Sequence, residues 1–262
     1  MNELTTRALS GSLYVALLTS TILYSTLGFF IVIALFSALA LWEFQRLIDW
    51  TSYLAPAFLL ALFTLAYLEA IPTNIVFLLL GGSLLCNSWI TLLVFSKKQP
   101  HLNLGFKLSW TFLYIIASSL FIPLCLTVSS TDNPYYLLFF YISIWTNNSF
   151  AYLVGSRFGK TKLFPALSPK KSWEGYIGGA ATTLLFIFFV ETKMEIYGKY
   201  WWIVGLFIPL LATVGDLVQS YFKRRAHVKD SGSLLPGHGG FYDRMDSVIY
   251  TAPFYYVLLK LI

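Results

Sequence analysis

The chain has 262 residues, 57% of them hydrophobic and 18% aromatic, with only 11% charged and a mean hydropathy of +0.69. A soluble domain carries about 25% Asp, Glu, Lys and Arg, so this composition excludes a disordered chain, a basic nucleic-acid-binding domain and an ordinary soluble enzyme. The only cysteines, Cys86 and Cys125, sit in separate apolar runs, too few and too isolated for a disulfide framework or a cysteine-rich metal site.

A helix crossing about 30 Å of hydrocarbon needs roughly 20 mostly apolar residues. No Lys, Arg, Asp or Glu occurs between Arg7 and Glu43. That stretch is too long for one crossing and divides near Ser25–Gly28 into spans over 9–26 and 28–44. Further spans are expected over 53–70, 74–95, 108–129, 135–155, 175–191, 200–221 and 247–261. The fold class expected is an all-α polytopic membrane protein of about nine transmembrane helices, about five of them in an N-terminal region (1–134) and the rest in a C-terminal region (135–262). The first apolar run passes straight into the second with no cleavage signal, so it reads as retained. This topology puts fifteen of the 18 Lys and Arg on one face, including the loops 156–174 and 222–246, and leaves Lys193, Lys199 and Lys260 on the other. Cation excess marks the cytosolic face. A bacterial-type cytoplasmic membrane is the expected location.

Asp216 follows the apolar run Tyr200–Gly215 and precedes the Lys223-Arg224-Arg225 cluster by seven residues. On a helix that places it about 10 Å inside the positive face. Acids at membrane depth are costly and point to function; a buried Asp bonded to a neighbouring helix is the structural alternative. Gln219 and Ser220, at i+3 and i+4, extend the same face with neutral oxygens. Asp243 and Asp246 open the last span with i, i+3 spacing; taken alone, such a pair reads as an N-terminal cap favoured by the helix dipole. Three carboxylates at one depth repel one another, which either raises their pKa values or demands a cation. Hard oxygens suit Mg²⁺, which keeps waters and shares one or two carboxylates with substrate phosphates. Between them, Leu235-Pro236-Gly237-His238-Gly239-Gly240 has three glycines in four positions, which gives either a backbone cradle for an anion or a flexible turn. Lys223, Arg224, Lys229 and Arg244 surround that loop with positive charge, which positive-inside topology and headgroup attraction also account for. Together these residues describe a phosphate-and-metal site at the cytosolic interface.

The run Ser220-x-Phe222-Lys223-Arg224-x4-Lys229-Asp230-x-Gly232-x2-Leu235-Pro236-x-His238-Gly239-Gly240-Phe241-x-Asp243-Arg244-Met245-Asp246 fixes its spacing over 27 positions. It resembles the signature of the phosphatidate cytidylyltransferases (CDP-diacylglycerol synthases). A second segment, Ala151-Tyr152-x2-Gly155-x3-Gly159-Lys160 followed by Ser168-Pro169-Lys170-Lys171-Ser172-Trp173-Glu174-Gly175, is similar to the same family. Gly155–Thr161 misses the Walker A spacing by one residue and follows no buried strand, which excludes a P-loop. Where the family pattern usually carries an acid, this chain has Asn148, which keeps an oxygen ligand and drops the charge.

The resemblance implies an enzyme that joins CTP to phosphatidic acid, giving CDP-diacylglycerol and pyrophosphate. It implies Asp216, Asp243 and Asp246 as Mg²⁺ ligands, with a second cation left open. Lys223, Arg224, Lys229 and Arg244 would clamp phosphates, Ser220 would ligate or orient, and the His238-Gly239-Gly240 backbone would approach the nucleotide. Lys170 and Lys171 are further candidates for the triphosphate tail. Membrane lipid is a partner, nucleic acid is not, and the family resemblance implies a homodimer. Three rivals stay open: a CTP-dependent lipid-alcohol kinase or a cytidylyltransferase for another lipid phosphate; a cation-coupled transporter; and, because of Asn148, an inactive relative that binds anionic lipid.

Overall fold

The computed structural model describes residues 3–96, 100–128, 133–234 and 239–262, with side chains from Leu9 onward. His238, the stretch 235–237 before it, and Lys97 and Lys98 lie outside the described residues. Among the described residues the chain is built from α1 (Glu3–Tyr24), α2 (Thr26–Leu47), α3 (Leu54–Tyr67), α4 (Thr73–Ser96) and α5 (Leu104–Leu124), followed by α6 (Tyr135–Phe158). A two-stranded hairpin, β1 (Lys162–Phe164) and β2 (Ser168–Ser172), leads into α7 (Trp173–Met194), α8 (Trp201–Arg225) and α9 (Tyr242–Leu261). The protein is an all-α polytopic membrane protein apart from this hairpin, and among the described residues six helices (α2, α4, α5, α6, α7 and α8) are long and apolar enough to cross a bilayer.

The other three expected spans differ for physical reasons. The apolar part of α1 (Leu9–Tyr24) and α3 (Leu54–Tyr67) are shorter apolar helices; the 14 residues of α3 reach only about 21 Å. Helix α9 has the length, but Asp243, Arg244, Asp246 and Lys260 interrupt its apolar character. The break expected near Ser25–Gly28 falls at Ser25, whose side chain caps α2 by accepting from the Gly28 amide at 3.0 Å. Inside α5 the turns widen to a π-helix over Trp110–Ala117.

Helix α6 packs on α7, α7 on α8 and α8 on α9, and α9 returns against α5 and α2. The α6–α7 pair is antiparallel and close. A Cβ on Gly179 would lie 2.6 Å from the Asn147 carbonyl oxygen, so only glycine lets these backbones approach. The α8–α9 pair is also antiparallel: Ser247 donates to the Ala212 carbonyl at 3.0 Å, and Gln219 donates to the Tyr242 carbonyl at 3.0 Å. Beneath the start of α9 lies an aromatic cluster from four helices. Phe222 of α8 meets Phe44 of α2 at 4.9 Å and Trp110 of α5 at 5.0 Å. Tyr114 shares a 2.8 Å hydroxyl contact with Tyr242. Such ring pairs contribute about 0.5–1.5 kcal/mol each beyond simple burial, and here they fix where α9 begins.

Candidate active site

The basic loop expected over 156–174 contains the β1–β2 hairpin. Its base is pinned by Glu174, whose carboxylate accepts from the amides of Lys160 at 3.1 Å and Thr161 at 3.0 Å. Ser172 ends the hairpin by capping α7, accepting from the Gly175 amide at 3.1 Å. The hairpin thus holds Lys162, Lys170 and Lys171 over a cavity of about 630 Å³ between α6, α7, α8 and α9. On the helical walls stand Asn147, Asn148, Tyr152, Tyr176 and Thr213, with Asp216, Asp243 and Asp246.

All three predicted aspartates therefore line one cavity, but their environments differ. Asp216 is paired with Lys171 and is close enough to Asp246 for the two carboxyl groups to interact. Asp246 is 7% exposed and accepts from the Ser247 amide. Asp243 is committed elsewhere. Its Oδ1 accepts from Lys223 Nζ at 2.8 Å and Gln219 Nε2 at 2.9 Å, and its Oδ2 from the amides of Ser231 at 2.9 Å and Gly240 at 3.0 Å. Among the described residues no group of three His, Cys, Asp or Glu gathers as a metal-binding set. With the Ser231 hydroxyl, five donors surround Asp243, so of the three aspartates expected as metal ligands it is the one most fully bonded within the protein.

The sequence reading missed Glu43. This α2 carboxylate is wholly buried; it accepts from the Phe241 amide at 3.1 Å and the Tyr242 amide at 2.9 Å, and so caps α9 from another helix. Ser231 Oγ lies 2.8 Å from Glu43 Oε2 and 2.9 Å from Asp243 Oδ2, bridging the two acids with one hydroxyl. A Cβ on Gly240 would collide with Glu43 and Ser231, so the loop can close over Glu43 only through glycine. The only signal available was one acid at the end of an apolar run.

The other predicted site residues are placed as follows. Lys223 is paired with Asp243 at 2.8 Å. Arg224 braces the hairpin, donating to the carbonyls of Leu167 at 3.3 Å and Val228 at 3.0 Å. Ser220 is buried and is not among the residues lining the cavity. The Gly240 amide is directed at Asp243, and Gly239 turns the chain at φ +81°. Lys229 lies exposed on the loop after α8. Arg244 is exposed and lines a second cavity beside α1, whereas Lys170 and Lys171, the further candidates, are at the main one.

Residues 5–262 match the sequence profile described as the cytidylyltransferase family. Over 167 residues the chain is 36% identical to the phosphatidate cytidylyltransferase of Aquifex aeolicus, covering 64% of this chain and 62% of that one. It is 38% identical over 156 residues to the protein of that name from Bacillus subtilis, covering 56% and 58%. Over 172 residues it is 42% identical to the one from Haemophilus influenzae, covering 62% and 58%. The matched stretch spans about three-fifths of the length of these curated relatives. With its profile match running over nearly all of its length, the chain belongs to the cytidylyltransferase family.

Proposed function

We propose that the protein is a phosphatidate cytidylyltransferase, making CDP-diacylglycerol and pyrophosphate from CTP and phosphatidic acid. The observation that carries this reading is the cavity in which three lysines of one hairpin face the carboxylates of α8 and α9. The lipid phosphate is already an anionic nucleophile, so no Ser, Cys or Lys nucleophile is required. Its oxygen forms a bond to the α-phosphorus of CTP as the bond from that phosphorus to the bridging oxygen breaks, and pyrophosphate leaves with the electron pair. The protein's task is to bring two anions together and to bear the charge that develops on the leaving group.

Lys162, Lys170 and Lys171 are placed to receive the polyphosphate, and Lys171 can exchange its Asp216 partner for a phosphate oxygen. The hard oxygens of Asp216 and Asp246 fit Mg²⁺, which needs only one or two protein carboxylates when phosphates complete its shell. Bound there, the ion would neutralise charge on the phosphates. Asp243, Gln219 and Lys223 hold Ser231, Gly240 and the start of α9 together. The fifteen cations that the sequence topology assigns to one face support a cytosolic opening in a bacterial cytoplasmic membrane.

Incubating the purified protein with Mg²⁺, phosphatidic acid and CTP labelled at either the α- or the γ-phosphate tests the reading. The expected result is α-label in a cytidine-bearing lipid, with substrate-dependent release of pyrophosphate. Transfer of γ-label alone would identify a lipid kinase instead, and absence of any turnover would overturn the proposal.

A further inference from the structure

The Asn148–Asp246–Ser247 wall has two sides. Behind the polar cavity lies a second one of about 360 Å³, formed by α1, α6 and the first turns of α9. The two cavities share Asn148, Asp243, Asp246 and Ser247, so they meet at the carboxylates rather than lying apart. Their chemistry differs. The first gathers Lys162, Lys170 and Lys171; the second has Arg244 as its only Lys or Arg, set among Tyr14, Val15, Ile144, Trp145 and Val248. Helix α1 turns large apolar side chains outward beside it, with Leu9 66% and Leu13 70% exposed. That is the face of a helix bordering lipid.

Resting on the cytidylyltransferase reading above, we propose that this second cavity is the site for the lipid phosphate monoester, and that the hairpin cavity takes the nucleotide alone. An arginine guanidinium suits a phosphate monoester because its fork of donors can engage two oxygens at once. The apolar residues around it suit the glycerol and the first carbons of the acyl chains. A cavity of this size lies near the lower end of the small-ligand range, so two full acyl chains stay outside, against α1 and the bilayer. A lipid held this way brings its phosphate to the residues that the two cavities share, which a nucleotide in the first cavity also reaches.

Photolabelling the wild-type protein with a diazirine-bearing phosphatidic acid tests this without any substitution. Adducts are expected on residues 10–15 and 144–149; adducts confined to the hairpin or to other helices, with turnover intact, would overturn it. Kinetics give a second measure. Val15→Trp should raise the KM for phosphatidic acid in mixed micelles at least tenfold and leave that for CTP within twofold. Lys170→Gln should do the reverse. If Val15→Trp leaves both constants unchanged, or moves that of CTP, the lipid site is elsewhere. If the wild type makes no cytidine-bearing lipid, the enzymatic reading itself fails, and the lipid assignment of this cavity falls with it.

Discussion

Replacing Glu43 with alanine strands the amides of Phe241 and Tyr242, which its wholly buried carboxylate now accepts from. Each unsatisfied buried donor costs about 1–3 kcal/mol, so Glu43→Ala should lower the unfolding midpoint in detergent and abolish activity. Glu43→Gln keeps one acceptor oxygen and should fold. Because Glu43 lines neither cavity, this variant should lose kcat while both KM values stay within twofold, as befits a positioning residue. A shift in either KM would mean that Glu43 reaches a substrate. By contrast, Asp246→Asn alters the shared wall itself and should cost about a hundredfold in kcat, in the range for losing one electrostatic stabiliser of a transition state, with the helical signal unchanged. Residue types and spacing made the aspartates legible, since acids at membrane depth are rare. Glu43 was not legible, because its partners lie some 190 positions away along the chain, and no local pattern announces a cap supplied by another helix.

The hairpin and the aromatic cluster act as elements. Lys170 and Lys171 sit on β2, which Glu174 and Ser172 anchor to the start of α7. The double variant Lys170→Gln, Lys171→Gln should therefore weaken CTP binding tenfold or more and leave stability nearly unchanged. Isothermal titration with CTP, beside a melting curve, checks both. Phe222→Ala predicts the reverse. Removing a fully buried ring that touches α2 and α5 should cost about 3–5 kcal/mol and lower the melting temperature without selective loss of either substrate. A melting temperature matching wild type would show that α9 is positioned by other contacts. Helix existence was readable from apolar runs, and the Ser25 break from a capping residue. The hairpin was not, because Ser168-Pro169-Lys170-Lys171-Ser172 has no apolar alternation and its shape comes from Glu174 bonding back to the turn.

At the scale of the whole molecule, charge and architecture agree on one polar end. The hairpin lysines, the Lys223–Asp243 pair, Arg224 and Arg244 cluster where α6 and α8 finish and α7 and α9 begin, whereas Lys193, Lys199 and Lys260 lie toward the opposite ends of α7, α8 and α9. The 22 residues of α7 separate these two groups by about 33 Å, one bilayer's hydrocarbon thickness. A two-sided labelling experiment follows. In a background with Cys86 and Cys125 replaced by alanine, Lys160→Cys and Lys199→Cys each place a single thiol at an exposed position, one by the cavity mouth and one at the far end. In intact spheroplasts an impermeant maleimide should modify the Lys199→Cys protein and spare the Lys160→Cys protein; in inverted vesicles the pattern should reverse. This outcome places the nucleotide cavity on the side where CTP is made and the cation excess belongs. The opposite pattern would put the triphosphate site outside the cell, and no reading of the chain as a CTP-using enzyme would survive it.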